Sequence, residues 1–334
     1  MPSVIVATGR HVPDQRLTNE ALSPMLASDP VWIVERTGIE ARHFAAPADT
    51  TTTLAAAAAR QAMARAGWGP GDIDALIFAT LSPDLAFPGC GVLLQHMLGL
   101  PHIPALDIRN QCSGYLYALQ VARAWIEAGI YRRVLIVGSE VHSVGLDLTE
   151  RGRAISVLFG DGAGAVLLER SEEAGRGVLD VRLGANGAHA EALWCEAPGA
   201  RMRPHITAAD IARGRHYPQM LGRVVFRHAI EVLSREAERI LTDHGIEPGS
   251  PERQSLWFVP HQANRRINEY LVEKLGLNPD RTLHTIRDFG NTTAASIPMA
   301  LDVAREEAGM GEGALVLHAA FGSGFTWGTA LVRM

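Results

Sequence analysis

Apolar and polar residues follow one another along the chain in blocks that predict strands and helices in turn. Short apolar runs typical of buried strands occur at residues 4–8, 75–79, 134–137, 256–259 and 314–317. Amphipathic or alanine-rich segments that predict helices include residues 18–25, 31–37, 53–66 and 92–98. This alternation is typical of an α/β protein whose sheets are covered by helices.

The order of these elements in the first half of the chain is repeated in the second half. A Leu-Gly-Leu segment at 98–100 recurs at 275–277, and a Phe-Gly-x-Gly turn at 159–162 recurs at 321–324. The repetition predicts two fused α/β halves, residues 1–172 and 173–334. A polar segment at 188–221 shows little periodicity, and we expect it to be a lid, a pocket wall or a disordered linker.

Composition narrows the class of protein. A chain of 334 residues with 47% hydrophobic and 20% charged residues can bury a large core. The net charge of −5 predicts no general affinity for nucleic acid or anionic membranes. The three cysteines suggest neither a disulfide framework nor a metal site, and they fit a reducing compartment. Since neither a signal peptide nor a membrane span is evident, we expect a cytoplasmic protein.

Cys112 stands where an apolar strand pattern at residues 103–108 gives way to an amphipathic helix pattern from Gly114. The start of a helix presents unpaired N–H groups and the positive end of the helix dipole, which favour a thiolate. The alternative is a buried structural cysteine, which is the commoner state of an arbitrary free cysteine. Cys112 is therefore a candidate nucleophile that needs partners.

Two polar groups are candidate partners for that thiol. The repeat aligns the turn that contains Cys112 with the turn that contains Asn291, and His261 follows the apolar run at 256–259. If the halves pack about a pseudo-twofold axis, we expect thiol, imidazole and amide to converge. Such groups can hold a thiolate or stabilise the oxyanion that forms on attack. The glycine-rich run at 160–164 is interpreted as a tight β-turn, because no helix pattern follows it.

The sequence resembles the β-ketoacyl-acyl-carrier-protein synthase III family of condensing enzymes over essentially the whole chain. The motifs that carry the resemblance are Trp32–Ile39, Phe159–Ala165, Pro260–Asn264, Gly290–Ser296 and Phe321–Gly328. The resemblance implies a thiolase-like α/β fold with two similar halves related by a pseudo-twofold and layered α-β-α-β-α. It also makes 188–221 a pocket-lining insertion.

The resemblance implies a decarboxylative Claisen condensation that starts fatty acid synthesis, without a cofactor or metal. Cys112 would take an acyl group from coenzyme A as a thioester. His261 and Asn291 would hydrogen-bond the carbonyl of the malonyl-acyl-carrier-protein thioester. The backbone N–H groups of Cys112 and Ser323 would form an oxyanion hole, and Phe321 would lie beside the malonyl carboxylate.

The resemblance also assigns the residues that bind coenzyme A. Trp32 would stack on the adenine, and Arg36 and Arg151 would hold the phosphates. Asn264 would contact the pantetheine arm.

Protein partners follow from the same resemblance. In a homodimer, Phe87 would reach into the acyl pocket of the partner subunit. Arg227 and Arg266 would contact the acidic carrier protein, a patch in which Glu273 stands where a basic residue is common. The nucleophile segment reads Gln-Cys-Ser-Gly at 111–114, where the family often has Ala-Cys-Ala-Gly.

Three alternatives to this activity remain open at the level of the sequence. The first is a paralogous condensing enzyme that uses longer acyl groups, or that joins two acyl-CoA molecules without decarboxylation. The second is a cysteine hydrolase of the Cys-His-Asn type, although the papain-like signature around the nucleophile is missing. The third is a binding module of this fold without catalytic activity.

Overall fold

The computed structural model describes residues 2–334. The elements of the first half are, in chain order, β1 Ser3–His11, β2 Gln15–Thr18, α1 Asn19–Leu26, α2 Pro30–Thr37, β3 Ala41–Phe44, α3 Thr51–Ala66, β4 Ala75–Ala79, α4 Cys90–Met97, β5 Ala105–Ile108, α5 Gly114–Glu127, β6 Arg133–Glu140, α6 Arg153–Ser156 and β7 Gly162–Arg170. Single 3-10 turns lie at Pro70–Asp72, Gln111–Ser113, Ser143–Gly145 and Glu150–Gly152.

The elements of the second half are β8 Gly177–Ala185, β9 Leu193–Trp194, α7 Ala208–Ala212, β10 Gln219–Met220, α8 Gly222–Asp243, α9 Pro251–Ser255, β11 Trp257–Phe258, α10 Arg265–Leu275, α11 Ile286–Phe289, α12 Ser296–Glu306, β12 Leu315–Gly322 and β13 Thr326–Arg333. Its 3-10 segments are Gly187–Ala192, Pro279–Arg281 and Thr293–Ala295.

Two mixed sheets share one topology. The first has the order β1-β7-β6-β4-β5, in which β4 is parallel to β5 and β6 while β7 is antiparallel to β6 and β1. The second has the order β11-β12-β13-β8, with β11 parallel to β12 and the other pairs antiparallel. A parallel bridge from Phe258 to Thr282 lies where β5 lies in the first sheet. The boundary predicted between 172 and 173 falls between β7 and β8.

Helices fill the space between the sheets and cover their outer faces. α5 and α12 lie between the sheets, where Leu116, Leu119, Ile297 and Leu301 belong to one buried cluster. The alanine-rich α3 packs on the outer face of the first sheet, and α8 packs on the outer face of the second. The layers are therefore α-β-α-β-α, with two similar halves.

Local signals explain where several elements begin and end. Helix α3 begins at Thr51, earlier than the pattern predicts, because the Thr50 side chain caps it and forms a capping box with Thr53. Strand β6 continues beyond its apolar run to Glu140, since Gly138, Ser139 and Glu140 still pair with β7. This extension carries a carboxyl group into the interior.

The polar segment 188–221 is folded onto the second half. Strands β9 and β10 pair with each other, and Arg215 forms ion pairs with Glu196 and Asp210. Several residues of this segment line the cavities described below. Within residues 2–334, the helices are all too short or too polar to cross a bilayer.

Candidate active site

Cys112 occupies the 3-10 turn directly before α5, and its side chain is 8% exposed. Burial and the nearby Glu140 carboxyl raise the pKa of Cys112 to about 12, whereas the backbone N–H groups of Cys112 and Ser323 lower it. The helix start is thus outweighed by desolvation in the resting protein, contrary to the expectation of a thiolate. The two N–H groups that face the sulfur form a pocket for negative charge.

A glycine allows the β12–β13 turn to approach the nucleophile. A Cβ atom added at Gly322 would lie 2.7 Å from Cβ and 3.1 Å from Sγ of Cys112. The next residue, Ser323, donates its hydroxyl to the carbonyl oxygen of Leu193 in the insertion. The turn that supplies the second N–H group is therefore held from both sides.

His261 follows β11 and is 4% exposed. Its backbone N–H donates to the Ala319 carbonyl at 2.8 Å, and its ring Nδ1 lies 2.6 Å from the hydroxyl of Ser296. The other ring nitrogen, Nε2, is buried and has no hydrogen-bond partner among residues 2–334. Desolvation lowers the pKa of His261 to about 3, so the imidazole is neutral at physiological pH.

Asn291 is fixed by its backbone and by its side chain. Its N–H donates to the Leu158 carbonyl at 2.8 Å, and its carbonyl accepts from Gly160 at 3.2 Å. The side-chain Oδ1 accepts the backbone N–H of Thr293 at 2.9 Å. Because the oxygen is used in this way, the amide Nδ2 is the atom left to donate to a substrate.

Cys112 lies between two cavities. Cavity A, of about 630 Å³, is lined by Cys112 together with residues of both halves, including Arg109, His142, Phe159, Trp194 and Ser323. Cavity B, of about 270 Å³, is lined by Cys112 together with His261, Asn291, Phe321, Trp32, Arg36 and Asn264. The structure thus brings the predicted thiol, imidazole and amide to one cavity, beside the ring of Phe321.

Three of the residues assigned to coenzyme A lie together on cavity B. Trp32 is 36% exposed, and Arg36 is exposed on the same helix. The side chain of Asn264 donates to the Arg36 carbonyl at 3.0 Å and accepts from the N–H of Arg266 at 3.0 Å. Asn264 therefore caps α10 and joins it to α2.

The fourth, Arg151, is engaged by protein groups. Its guanidinium forms an ion pair with Asp147 at 2.5 Å and lies over the ring of Tyr217 at 5.6 Å. It also packs on Gly214, where an added Cβ would lie 2.6 Å from Cζ. Arg151 thus ties the 208–217 part of the insertion to the turn that precedes α6.

The residues assigned to protein partners lie on the surface. Phe87 is 86% exposed on the loop before α4. Arg227 and Arg266 are exposed, and the guanidinium of Arg266 lies 5.9 Å from the ring of Phe226, which lines cavity B. The two arginines are therefore close to the rim of that cavity.

Two buried polar residues of the site were missed by sequence reasoning. Glu140 accepts from the Thr80 hydroxyl and from Ser82, and burial raises its pKa to about 7. His142 contacts the Thr293 hydroxyl through Nε2 at 2.7 Å, and burial lowers its pKa to about 3. The available signal was their position shortly after the apolar run at 134–137.

In the part of the chain that the structure describes, no three His, Cys, Asp or Glu side chains are grouped so as to hold a metal ion.

Comparison with known proteins identifies the family. The chain matches 3-Oxoacyl-[acyl-carrier-protein (ACP)] synthase III over residues 106–187 and the C terminal part of that family over residues 249–334. It is 41% identical over 333 residues to the β-ketoacyl-[acyl-carrier-protein] synthase III of Sphingopyxis alaskensis, covering 99% of both chains. It is 42% identical over 337 residues to that of Rhodospirillum rubrum, again covering 99% of both.

A solved structure agrees with this assignment. The 3-oxoacyl-[acyl-carrier-protein] synthase III of Aquifex aeolicus superimposes with a TM-score of 0.88 at 36% identity, covering 99% of this chain and all of the other. The fold is therefore thiolase-like, as the resemblance implied. The chain belongs to the β-ketoacyl-acyl-carrier-protein synthase III family of condensing acyltransferases.

Proposed function

We propose that this protein condenses an acyl-CoA primer with malonyl-acyl-carrier-protein by decarboxylative Claisen chemistry, and so starts fatty acid synthesis. The observation that carries the proposal is the position of Cys112 between two cavities. One of these cavities is also lined by His261, whose Nε2 has no hydrogen-bond partner among residues 2–334, and by Asn291, whose Oδ1 is taken by the N–H of Thr293. An acyl group on the sulfur can then occupy cavity A while the second thioester enters cavity B.

In the first half-reaction, Cys112 takes the acyl group. Its sulfur attacks the thioester carbonyl, the new S–C bond forms, and the coenzyme A sulfur leaves with the proton of the thiol. The N–H groups of Cys112 and Ser323 stabilise the oxyanion of the tetrahedral intermediate. The oxyanion forms on the carbon that becomes bonded to the sulfur. The two N–H groups that face the sulfur are therefore close to this negative charge.

In the second half-reaction, the malonyl thioester loses CO2 in cavity B. The bond to the carboxylate breaks, and its electrons pass into an enolate whose oxygen accepts from His261 and Asn291. The enolate carbon then attacks the acyl carbonyl and forms the new C–C bond, and the Cys112 sulfur leaves as the thiolate and takes a proton from solvent. The ring of Phe321, 5% exposed, gives the carboxylate an apolar neighbour that favours its loss.

Residues along cavity B would bind the substrates. The indole of Trp32 offers a face for the adenine, and Arg36 offers a cation for the phosphates. Asn264 would contact the pantetheine arm, and Arg151 would add a second cation once it shifts from Asp147. Arg227 and Arg266, close to the rim, would meet the acidic carrier protein, an attraction that salt weakens.

We further propose that the active form is a homodimer. Phe87, Val92 and Val144 are exposed apolar side chains; Val144 lines cavity A, and Phe87 follows residues 81–84, which also line it. Strand β5, which packs against α4, is an edge strand whose one partner among residues 2–334 is β4. Covering this face with a second copy would bring Phe87 of one subunit to the acyl pocket of the other.

The acyl preference would be set by the walls of cavity A. Residues 193–195, 216 and 218 belong to the insertion and line this cavity.

The free thiols of Cys90, Cys112 and Cys195 fit a reducing compartment such as the cytoplasm.

The experiment follows the two half-reactions separately. The protein is exposed to acyl-CoAs of graded length and its intact mass is measured, and then malonyl-acyl-carrier-protein is added and CO2 is counted. We expect one acyl group on Cys112 and one CO2 for each condensation, with His261→Ala and Asn291→Ala acylated but unable to release CO2. Ping-pong initial rates are expected for the same reason.

Other outcomes separate the alternatives. Condensation without CO2 release indicates the non-decarboxylative paralogue, and discharge of the acyl group by water indicates a hydrolase. Turnover that survives Cys112→Ala contradicts a role for the thiol altogether.

A further inference from the structure

The hydrogen on the His261 ring decides what this residue offers to a substrate. The neutral ring carries one hydrogen, on Nδ1 or on Nε2. Only the Nε2–H form can donate into cavity B, since Nδ1 faces the hydroxyl of Ser296. The partner of Nδ1 therefore determines whether His261 is a donor or an acceptor towards the substrate.

Ser296, the first residue of α12, is 2% exposed and has three polar neighbours. Its Oγ lies 2.6 Å from Nδ1 of His261, 2.9 Å from the Thr293 carbonyl oxygen and 3.4 Å from the backbone nitrogen of Gln262. A hydroxyl has one hydrogen to donate. If that hydrogen goes to Thr293, Nδ1 must carry the ring hydrogen, and Nε2 is left as a bare acceptor.

Two observations favour donation to His261 instead. The separation of 2.6 Å between Oγ and Nδ1 is shorter than the usual range of an N–H donor to an oxygen. The Thr293 carbonyl also accepts the backbone N–H of Ser296, so it keeps a partner when the hydroxyl turns away. The Gln262 N–H can then donate to the Ser296 oxygen.

We propose that Ser296 is a positioning residue that donates its hydroxyl hydrogen to Nδ1 of His261 and thereby holds Nε2 in the protonated form that donates to the malonyl thioester. The proposal rests on the proposed function, because it assigns how that reaction obtains its second donor. Residues 293–296 orient the side chains of both Asn291 and His261. The N–H of Thr293 holds Oδ1 of Asn291, and the hydroxyl of Ser296 holds Nδ1 of His261.

The test compares Ser296→Ala with Ser139→Ala. Ser139 is also fully buried and donates to one backbone carbonyl, that of Thr51, without touching His261. We expect Ser296→Ala to lower the rate of CO2 release from malonyl-acyl-carrier-protein by about 100-fold through kcat, the scale of losing one oxyanion donor. Acylation of Cys112 and KM should stay unchanged, and Ser139→Ala should release CO2 at the wild-type rate.

A double-variant cycle separates the tautomer from general packing. In His261→Gln the side chain has an amide donor and no tautomers, so adding Ser296→Ala should change the residual rate by less than about threefold. A further 100-fold loss in that background would overturn the proposal. An equal loss of acylation and CO2 release in Ser296→Ala would overturn it as well.

The ring hydrogen is observed directly by 15N NMR of the ring nitrogens, with the His261 signals identified by their disappearance in His261→Gln. We expect the Nε2–H form in wild type and in Ser296→Thr, and a mixture in Ser296→Ala; an Nδ1–H wild type contradicts the proposal. This readout needs no turnover. If wild type releases no CO2, the proposed function fails, while the spectrum still tests the role of Ser296.

Discussion

Gln111 and Thr293 adopt the same rare left-handed backbone conformation, with φ of +44° and +47°, one in each half of the molecule. Each begins a 3-10 turn that leads into a helix between the sheets, α5 in one case and α12 in the other. Non-glycine residues seldom adopt this conformation, least of all β-branched threonine. The two turns face each other across the pseudo-twofold axis, so Cys112 corresponds to Ala294, and Asn291 lies three residues before it.

Replacing Gly322 by alanine tests the close approach at the nucleophile. The added Cβ would lie 2.7 Å from Cβ of Cys112, so either the Cys112 turn or the Ser323 turn must move. We expect a loss of about 1–3 kcal/mol in the free energy of unfolding, measured with urea, and at least a tenfold fall in acylation rate. Gly311→Ala, where nothing lies within 4 Å of the added atom, is the control. Normal acylation by Gly322→Ala would contradict the contact.

The reactivity of Cys112 should follow its raised pKa. Because only the thiolate is alkylated, the rate with iodoacetamide should rise about tenfold per pH unit from pH 7 to 9 without levelling off. Glu140→Gln removes the negative charge that Glu140 carries above its own pKa of about 7, so the pKa of Cys112 falls and the profile above pH 7 moves to lower pH. Peptide mass spectrometry separates Cys112 from Cys90 and Cys195. A plateau below pH 8 in wild type would indicate a thiolate at rest.

Buried histidines should make the fold sensitive to acid. Desolvation lowers the pKa of His318 from 6.5 to about 4, so between these values the unfolded chain binds a proton that the folded chain does not. Stability is therefore lost as the pH falls through this window, by about 2 kcal/mol between pH 7 and pH 5 for this residue alone. Between pH 7 and pH 5, the free energy of unfolding of His318→Leu, measured with urea, should fall by about 2 kcal/mol less than that of the wild type. Parallel pH profiles for the two proteins would refute the assignment.

Replacing either of the two arginines assigned to the phosphates should raise the KM for acyl-CoA by a different amount. Arg36 is exposed on cavity B, with no carboxylate within 4 Å among residues 2–334, whereas Arg151 is paired with Asp147. We expect Arg36→Ala to raise KM for acyl-CoA about tenfold, the scale of one charged hydrogen bond. Arg151→Ala should raise it less and should expose residues 208–217 to protease. Arg239→Ala, on α8 and paired with Glu236, is the control. A larger KM effect for Arg151→Ala would reverse the ranking.

Local patterns predicted much of the fold. The apolar run at 75–79 is strand β4 as expected, and α1 begins after its Thr18 cap because the threonine hydroxyl accepts an N–H of the first turn. Such features depend on neighbouring residues, which the sequence displays directly. The repeat and the motifs of the family predicted the topology and singled out Cys112, His261 and Asn291 as candidate site residues.

The sequence by itself determined the alternation of strands and helices, the two similar halves and the candidate thiol, because periodicity, caps and motifs are local properties. Only the tertiary structure decided the state of that thiol, because its burial and its distance from Glu140 depend on chain segments far apart in sequence. The same holds for the contact of Ser296 with His261, separated by 35 residues, and for the engagement of Arg151 by Asp147. Burial and long-range proximity set the charge and hydrogen positions of this site, and no local pattern encodes either.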